Sequence, residues 1–258
     1  MGILYDSLTV KDVLKLKRKK KYGRIFLHTN ELLNELFDVI DFKNKDVLSV
    51  LASSDQMFMA YNLGASSVDT FDKNRLTKYY YYLRVWTIKY FRELYPYFLL
   101  ENDYEKIERL LNSVKTSSFE ERCALLFWKH LCKNRFLFSG IFITDIDDVP
   151  FDNVNQLDGS IYKMNTFYNV DFFKNFNINK KYDIVIFSNI LEWAEDRKRY
   201  LVKARDNLDK VLKDDGIVVC SELKYRMCQS INEEKDIFGS KFNYKKIKDR
   251  VGYLYKKR

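Results

Sequence analysis

The hydrophobic and polar positions of this chain change period along its length. Residues 30–40 carry apolar side chains at helical spacing. Two short apolar runs at 47–51 and 68–71 are each followed by a helical stretch, the first closing on Gly64 and the second extending over 75–92. This order of strand, helix, strand and helix predicts a parallel sheet with crossover helices.

The second half of the chain returns to this alternation after a purely helical stretch at 100–140, beginning with alternating apolar positions at 161–170. The run at 184–187 is apolar at every position, as expected for a central parallel strand that is covered on both faces. A helix, a second buried strand at 217–222 and a closing antiparallel strand at 251–255 are predicted after it. The fold class is therefore α/β with a mainly parallel sheet.

Three details of the helical stretches carry predictions of their own. Ser118 and Glu121 have the spacing of a capping box ahead of a strongly apolar helix. His130 lies inside that helix, so a core position is expected for it. The aromatic stripe Tyr79–Trp86 is expected to pack on the sheet, because stacking platforms for bases are the rarer use of such residues.

Composition limits the possible classes of protein. The 258 residues are 47% hydrophobic, which allows one enzyme-sized domain with insertions and excludes a disordered chain. No apolar run approaches the roughly 20 residues that span a bilayer, and the N-terminal residues lack the pattern of a secretory signal, so a cytoplasmic location is expected. The four cysteines have no Cys-x-x-Cys spacing, which favours reduced thiols over a disulfide framework or a metal site.

The formal net charge of +9 is concentrated in two segments. Residues 11–24 and 241–258 each hold eight basic side chains and one acidic side chain, so the remainder of the chain is net acidic. One interpretation is a docking patch for RNA or an anionic surface, formed by Lys15–Lys21 and Lys241–Arg258. The alternative is a solvated flank of a basic helix at 6–21 together with a basic tail.

Polar residues follow three of the predicted strands. Ala52-Ser53-Ser54-Asp55 follows the first strand, and Asp72 follows the second at 21 residues after Leu51. Ser188-Asn189 follows the central strand. Ligands of doubly wound sheets bind at the carboxyl ends of strands, and an acidic residue at about this interval meets ribose hydroxyls. The three groups together predict a pocket for an adenosine-type ligand.

The segments around these residues resemble a known family. In order, they read DVLSVLASSDQ, VDTFDKN, NVDFF, YDIVIFSNILEW and LKDDGIVVCSE. They resemble the ordered motifs of class I S-adenosylmethionine-dependent methyltransferases over roughly residues 46–222. The resemblance implies a transferase with S-adenosylmethionine as cofactor and no metal. It also implies a Rossmann-like doubly wound sheet of seven strands, one of them antiparallel.

The resemblance further implies a domain organisation and site roles. A basic N-terminal helical segment, 1–45, could act as a lid on a methyltransferase-like domain, 46–258, whose helical insertion at about 95–150 would cover the acceptor site. Position by position, the cofactor contacts would be as follows: Asp55 at the methionine end, Asp72 on the ribose, Asp171 on the adenine amino group, and Ser188 and Asn189 beside the sulfonium.

The first loop and the second motif also resemble a particular branch. Ser53 and Ser54 are small enough to let the backbone approach the cofactor. The SSDQ loop and the triplet Asp72-Lys73-Asn74 are similar to enzymes that transfer the aminocarboxypropyl group of the same cofactor to a diacylglycerol lipid. Asn74 is therefore counted among the cofactor-binding residues. The SNILEW segment lacks the Asn/Asp-Pro-Pro-aromatic signature of enzymes that methylate exocyclic amines of nucleobases.

Each site residue also has a structural alternative. Asp55 and Asp72 could cap the helices that follow their strands. Asp171 lies in a stretch of ambiguous pattern, and Asn189 could satisfy backbone groups in a tight loop. His28 could be a general base over the crevice, although a lone histidine is more often structural.

The first loop departs from the family, because no glycine occurs between Gly23 and Gly64. Serine and alanine replace glycine poorly where the backbone needs a positive φ. The leading expectation is methyl transfer to a small-molecule or lipid-like acceptor. Aminocarboxypropyl transfer to a lipid, RNA methylation through the basic segments and a degenerate, non-catalytic interaction domain are the alternatives.

Overall fold

A computed structural model describes residues 25–26, 29, 31, 33–91, 104–133, 142–143, 163–174, 177–188, 197–221, 235–248 and 251–258. The chain forms two compact units. The helical unit comprises residues 1–29, 52–55 and 74–162, and the sheet unit comprises residues 30–51, 56–73 and 163–258. His28, Asn189, the predicted helix at 6–21 and the segment Lys15–Lys21 lie outside the described residues.

The described elements alternate as the sequence predicts. In chain order they are β1 (Ile25–Phe26), α1 (Leu33–Phe37), β2 (Asp46–Val50), α2 (Asp55–Asn62), β3 (Ser67–Phe71), α3 (Leu76–Tyr90), α4 (Tyr104–Ser113), α5 (Phe119–Lys133), β4 (Phe142–Ile143), β5 (Met164–Tyr168), β6 (Tyr182–Ser188), α6 (Arg197–Val211), β7 (Leu212–Ser221), β8 (Phe242–Lys248) and β9 (Gly252–Lys257). Gly64 closes the turn after α2 with φ of 93°, which is the left-handed conformation expected of a glycine after a helix.

The sheet unit contains a seven-stranded sheet in the order β5-β3-β2-β6-β7-β9-β8. The first five strands of that order are parallel to one another, and β9 runs antiparallel to both of its neighbours. The implied seven-stranded sheet with one antiparallel strand is thus confirmed. β6 lies at its centre between β2 and β7, and Ile184–Phe187 are buried, as their apolar run predicts.

One strand of this sheet is missing from the sequence prediction. β8 pairs with β9 as an antiparallel neighbour, so the segment 241–258 contributes two strands and the expectation of a basic tail is wrong. The sequence of β8, FNYKKIK, hides the strand because its lysines interrupt the alternation. Its aromatic residues still pack inward, since the ring of Tyr244 lies 5.6 Å from that of Tyr255. Lysines on an edge strand are a usual protection against strand addition.

Part of the positive charge of this segment is paired within the unit. Lys241 and Lys257 contact the carboxylate of Asp209 at 2.7 and 3.3 Å, and Lys256 lies 3.2 Å from Asp215. These pairs neutralise side chains that a docking surface for an anionic partner would need.

The helical unit has a core of its own, formed by α3, α4 and α5. Tyr79 packs edge-on against Phe127 at a centroid distance of 5.2 Å, and the indole of Trp128 donates a 2.7 Å hydrogen bond to the Tyr79 carbonyl. Leu110 of α4 is fully buried in the same cluster. The sequence assigned the stripe Tyr79–Trp86 to packing on the sheet. Within this unit its partners are the two following helices.

Two expectations for α5 need correction. The hydroxyl of Ser118 accepts a 3.1 Å hydrogen bond from the Glu121 amide, but the Glu121 carboxylate accepts from the amide of Ser117 at 2.6 Å instead of closing the box on Ser118. His130 is exposed, so the expectation of a core histidine is wrong. Leu126, which is 60% exposed, lies on the same side of α5 as His130. Its apolar residues therefore do not define one buried face.

The described residues give limited information on membranes, metals and thiols. None of the described helices combines the length and apolar character that crossing a bilayer requires. In the same part of the chain, no three His, Cys, Asp or Glu side chains are grouped as a metal ion would need. Cys132 and Cys220 are buried and Cys123 is half-buried, and none of these three thiols forms a disulfide within the described residues.

Candidate functional site

The carboxyl ends of the parallel strands form one edge of the sheet, and the predicted site residues of the sheet unit lie along it. Strand β2 lies between β3 and β6, and the chain order reverses between β2 and β6. Doubly wound sheets bind ligands at such a reversal. Asp72 directly follows β3, Ser188 is the last residue of β6, and Asp171 follows β5 after two intervening residues.

An aromatic cluster brings these three positions close to one another. Phe71 precedes Asp72, Phe172 follows Asp171 and Phe187 precedes Ser188 in the sequence. The ring centroids of Phe71 and Phe172 are 4.9 Å apart, and those of Phe172 and Phe187 are 4.5 Å apart. All three rings are buried. Each ring is one residue away from a candidate binding residue. The cluster therefore fixes the backbone of Asp72, Asp171 and Ser188 at the same edge of the sheet.

Backbone hydrogen bonds hold Asp72 in place. Its amide donates to the carbonyl of Tyr168 at 3.1 Å, and its carbonyl accepts from the side chain of Asn169 at 2.9 Å. Both partners belong to the end of β5. Asp72 is half-buried. Its backbone is thus tied to the neighbouring strand at the position where the sequence predicts a ribose contact.

Asp171 is held through its own turn and through α6. Its Oδ1 accepts a 3.1 Å hydrogen bond from the amide of Phe173, and Lys174 lies 3.7 Å from its carboxylate. The side chain of Asn207 in α6 donates 2.8 Å hydrogen bonds to the carbonyls of Phe172 and Lys174. The structural alternative for Asp171, a carboxylate that stabilises a local turn, is therefore present in the structure.

Ser188 belongs to a buried polar cluster with two residues that the sequence did not single out. Its backbone has a positive φ of 57°, and its hydroxyl donates to Oε1 of Glu31. The amide nitrogen of Gln56 donates to Oε2 of Glu31 at 3.0 Å and lies 3.4 Å from the hydroxyl of Ser188. Glu31, Gln56 and Ser188 are only 4%, 1% and 5% exposed. A carboxylate is thus buried at the carboxyl end of the central strand.

In the helical unit, Asp55 is engaged by protein partners. Its Oδ1 lies 2.7 Å from Nη2 of Arg84, and its Oδ2 accepts 2.7 Å hydrogen bonds from the hydroxyl of Ser53 and the amide of Thr29. Arg84, only 1% exposed, also donates to the carbonyl of Ser53. Both carboxylate oxygens are therefore used: Oδ1 ties the 52–55 loop to α3, and Oδ2 ties it to Thr29.

The 52–55 loop adopts the backbone conformation that glycine normally supplies. Ala52 and Ser54 have φ angles of 39° and 75°. The hydroxyl of Ser54 is buried without a hydrogen-bond partner among the described residues. Non-glycine residues in this region are strained by a clash of Cβ with the backbone. The sequence anticipated this conflict, and the loop keeps the left-handed turns at a cost in stability.

Asn74 has a structural role. Its Oδ1 accepts a 3.0 Å hydrogen bond from the amide of Leu76, and its carbonyl accepts from the hydroxyl of Thr77 at 2.7 Å. These contacts cap the start of α3. The capping role that the sequence allowed for Asp72 is therefore carried by Asn74 at this helix. A cofactor contact by Asn74 stays a prediction.

The structure thus divides the predicted residues between the two units. In the sheet unit it brings Asp72, Asp171 and Ser188 to one edge. In the helical unit it joins Ser53 to Asp55. Sequence reasoning missed three residues that matter: Glu31, Gln56 and Arg84. For Arg84 a signal was available, because a lone charge stands among buried aromatic positions of α3; for Glu31 no local pattern marked it.

The strand order and the reversal point together define a Rossmann-like, doubly wound α/β sheet. No family model matches the chain. No curated protein matches it either.

Among solved structures the chain is similar to three enzymes. A TehB-like SAM-dependent methyltransferase from Corynebacterium glutamicum is 8% identical, with 96% of each chain covered and a TM-score of 0.43. The N-methyltransferase NodS from Bradyrhizobium japonicum is 10% identical, with 97% of this chain and 99% of that chain covered and a TM-score of 0.39.

A ribosomal protein L11 methylase from Lactobacillus delbrueckii subsp. bulgaricus is 14% identical, with 87% of this chain and 74% of that chain covered and a TM-score of 0.38. Similarities of this size carry no argument about activity. The fold assignment rests on the strand order, and the function is argued from the site.

Proposed function

We propose that this chain is an S-adenosylmethionine-dependent transferase that moves a methyl group to a small-molecule or lipid-like acceptor. The observation that carries the proposal is the arrangement at the carboxyl edge of the sheet unit. Asp72, Asp171 and Ser188 follow three strands around the reversal point, and one aromatic cluster links their positions. A polar edge at this place in this fold is suited to a nucleoside ligand.

The residues present suit this cofactor. The half-buried carboxylate of Asp72, whose backbone is tied to β5, would accept hydrogen bonds from ribose hydroxyls. Asp171 would accept from the adenine amino group. Ser188 lies at the end of the central strand, where the resemblance expects the sulfonium. The left-handed turns at Ala52 and Ser54 keep the first-loop conformation although glycine is absent.

Chemically, the bound cofactor supplies an electrophilic methyl carbon on its sulfonium. The chain's own residues need to bind and orient the cofactor and the acceptor and to exclude water. Such positioning can supply about 7–11 kcal/mol of barrier reduction. This division of work agrees with a site that is built from single hydrogen-bonding residues on rigid strand ends. An activated nucleophile is not required.

Two observations bear on the class of the acceptor. SNILEW, which begins at Ser188, lacks the signature of enzymes that methylate exocyclic amines of nucleobases. The ion pairs of Lys241, Lys256 and Lys257 with Asp209 and Asp215 reduce the charge available for an RNA partner. Both observations favour a small-molecule or lipid-like acceptor over RNA.

A cofactor-free interaction domain is the second candidate. The engagement of Asp55 by Arg84, Ser53 and Thr29 favours it, because the first loop then contributes no carboxylate to a ligand. The two candidates differ in one measurable property, the binding of S-adenosylhomocysteine by the folded protein.

The test is the thermal stability of the full chain with and without S-adenosylhomocysteine. Ligand at one hundred times its dissociation constant stabilises the native state by about 2.7 kcal/mol. We expect an upward shift of the melting temperature that is lost in Asp72→Ala and kept in Asp41→Ala, which removes an exposed carboxylate from the loop before β2. If millimolar ligand produces no shift in the wild type, the interaction domain becomes the better proposal.

A further inference from the structure

One side of α5 combines apolar and cationic side chains. The opposite side of this helix packs into the core of the helical unit with α3 and α4. Residues three, four or seven positions apart lie on one face of a helix. By this spacing the side turned away from the core carries five residues that we call the outward face: Phe119, Arg122, Leu126, Lys129 and Lys133.

The outward face exposes two large apolar side chains. Phe119 and Leu126 are 59% and 60% exposed. Among the residues that the structure describes, the other exposed large apolar side chains are Val39 and Leu63 of the sheet unit. Phe119 and Leu126 lie about 10 Å apart along the axis of one helix, because each residue rises by about 1.5 Å. They therefore form one apolar strip.

The cations of the outward face are available to a partner. Within the described part of the chain, no carboxylate forms an ion pair with Arg122, Lys129 or Lys133. The two acidic residues of α5 lie off this face. Glu120 contacts Lys78 of α3 at 2.7 Å, and the carboxylate of Glu121 accepts a hydrogen bond from the amide of Ser117. The outward face thus carries three positive charges beside its apolar strip and no negative charge.

This combination is complementary to the surface of an anionic bilayer. A helix that lies in the interface buries its apolar side chains at the boundary of the acyl chains, and its lysines and arginines contact anionic head groups. The methylene stems of these cations extend along apolar surface and leave the charge in water. Since α5 has 15 residues and a spanning helix needs roughly 20, the contact is along the membrane surface.

Other partners match the outward face less well. A second copy of the chain would bring two faces of the same charge together, which is unfavourable. RNA would be attracted by the cations, but the aliphatic side chain of Leu126 offers no ring on which a base could stack. A bilayer uses both the apolar strip and the charge.

We propose that the outward face of α5 docks the protein reversibly on a membrane that contains anionic lipids. The inference concerns a surface of the helical unit and does not rest on the proposed function. It also differs from the docking patch that the charge distribution suggested at Lys15–Lys21 and Lys241–Arg258.

The test is co-sedimentation of the full chain with phosphatidylcholine vesicles, with and without phosphatidylserine. We expect binding that requires phosphatidylserine and weakens with salt. A cation near an anionic surface is worth about 1 kcal/mol, or about fivefold in the partition constant. Arg122→Gln/Lys129→Gln/Lys133→Gln should therefore lower the partition constant about 100-fold. Phe119→Ser/Leu126→Ser should lower it about tenfold or more, because less apolar surface is buried in the bilayer.

Two control variants make the same kinds of change in the sheet unit. Lys181→Gln/Lys245→Gln/Lys246→Gln removes three exposed cations, two of them from the segment of the suggested patch. Val39→Ser/Leu63→Ser removes the exposed apolar side chains of that unit. Both controls should bind vesicles like the wild type, because the proposal assigns membrane contact to α5 alone. Urea unfolding checks that every variant is folded.

A second measurement adds a signal at the proposed contact. In Leu126→Trp, an indole replaces the exposed leucine and all cations are kept. We expect brominated lipids in phosphatidylserine vesicles to quench more of its fluorescence than that of the wild type. Leu63→Trp is the control, and its additional indole should not be quenched.

Several results would overturn the proposal. They are equal binding of the wild type to both kinds of vesicle, no binding to either, equal losses in the control variants, or an unquenched indole in Leu126→Trp. Binding of single-stranded RNA instead of vesicles, weakened only by loss of the cations, would identify a nucleic-acid surface. A wild-type dimer that Phe119→Ser/Leu126→Ser dissociates would identify a contact between copies. Because these measurements use no S-adenosylhomocysteine, each of these results leaves the proposed function standing.

Discussion

The ion pair between Arg84 and Asp55 gives the sharpest prediction for the stability of this protein. Both residues are buried, with 1% and 8% of their surfaces exposed, and Nη2 lies 2.7 Å from Oδ1. Arg84→Met removes the guanidinium and leaves the Asp55 carboxylate buried without that charge. Breaking a buried pair from one side costs about 3–5 kcal/mol. Since whole domains are stable by about 5–15 kcal/mol, this loss is a large fraction of the total.

A matched variant separates the buried pair from ion pairs in general. Lys78 on the same helix contacts Glu120 at 2.7 Å, but the two side chains are 17% and 43% exposed. An exposed pair is worth about 1 kcal/mol or less, so Lys78→Met should cost little. The comparison holds the charge change and the helix constant and varies burial, together with the second hydrogen bond that Arg84 donates to the Ser53 carbonyl.

The assay is urea unfolding at neutral pH, followed by circular dichroism and by tryptophan fluorescence, to which Trp86 and Trp128 of the helical unit contribute. The double variant Arg84→Met/Asp55→Asn removes both charges and keeps an acceptor oxygen at position 55. The double variant should recover more than half of the stability lost in Arg84→Met, because the effects of substitutions at contacting residues are not additive. An Arg84→Met loss no larger than that of Lys78→Met, or strictly additive single variants, would refute the reasoning.

Two further predictions concern the first loop and the edge of the sheet. Ser54→Gly should stabilise the protein by about 0.5–1 kcal/mol in urea, because glycine relieves the strain at φ of 75° at a smaller entropic cost; Ser49→Gly, within β2, should destabilise it. Hydrogen bonding from Lys241, supported by Lys257, holds the pKa of Asp209 below its ordinary value. The stability that ionised Asp209 contributes is therefore present above about pH 4 and is lost as pH falls through its lowered pKa. In urea titrations the free energy of unfolding of the wild type should exceed that of Asp209→Asn at neutral pH, and this difference should disappear in acid.

The strand order could be predicted because local patterns determine it together with general rules of connection. Ile184–Phe187 are apolar on both faces, which is enough to place β6 at the centre, and short right-handed crossovers then leave few topologies. The same logic placed Asp72 and Ser188 at the carboxyl edge. Asp72 directly follows β3, and Ser188 is the last residue of β6.

The partners of individual side chains were beyond sequence reasoning. Asp55 and Arg84 are 29 residues apart, and nothing near Asp55 indicates that a guanidinium lies against it. Glu31 and Ser188 are 157 residues apart. A contact of this kind depends on how α1 and β6 pack within the sheet unit. The sequence pattern of either segment alone carries no record of it.

The predictions for His130 and for the segment of β8 were wrong for a different reason. The prediction for His130 relied on the apolar character of its helix, and the segment of β8 was interpreted from its charge as part of a basic tail or a docking patch. Phe127 and Trp128 are buried while His130, two positions later, is exposed. In β8, Phe242 is buried and Lys245 and Lys246 are exposed. The overall character of a segment therefore does not predict the surroundings of its individual side chains.

The absence of glycine from the first loop and the engagement of Asp55 have one physical explanation. A loop of alanine and serine held at positive φ is strained, and strain persists only where the surroundings impose the conformation. Arg84 imposes it here by binding the carboxylate of Asp55 and the carbonyl of Ser53. The charge of the Asp55 carboxylate is therefore balanced by the Arg84 guanidinium that holds the loop.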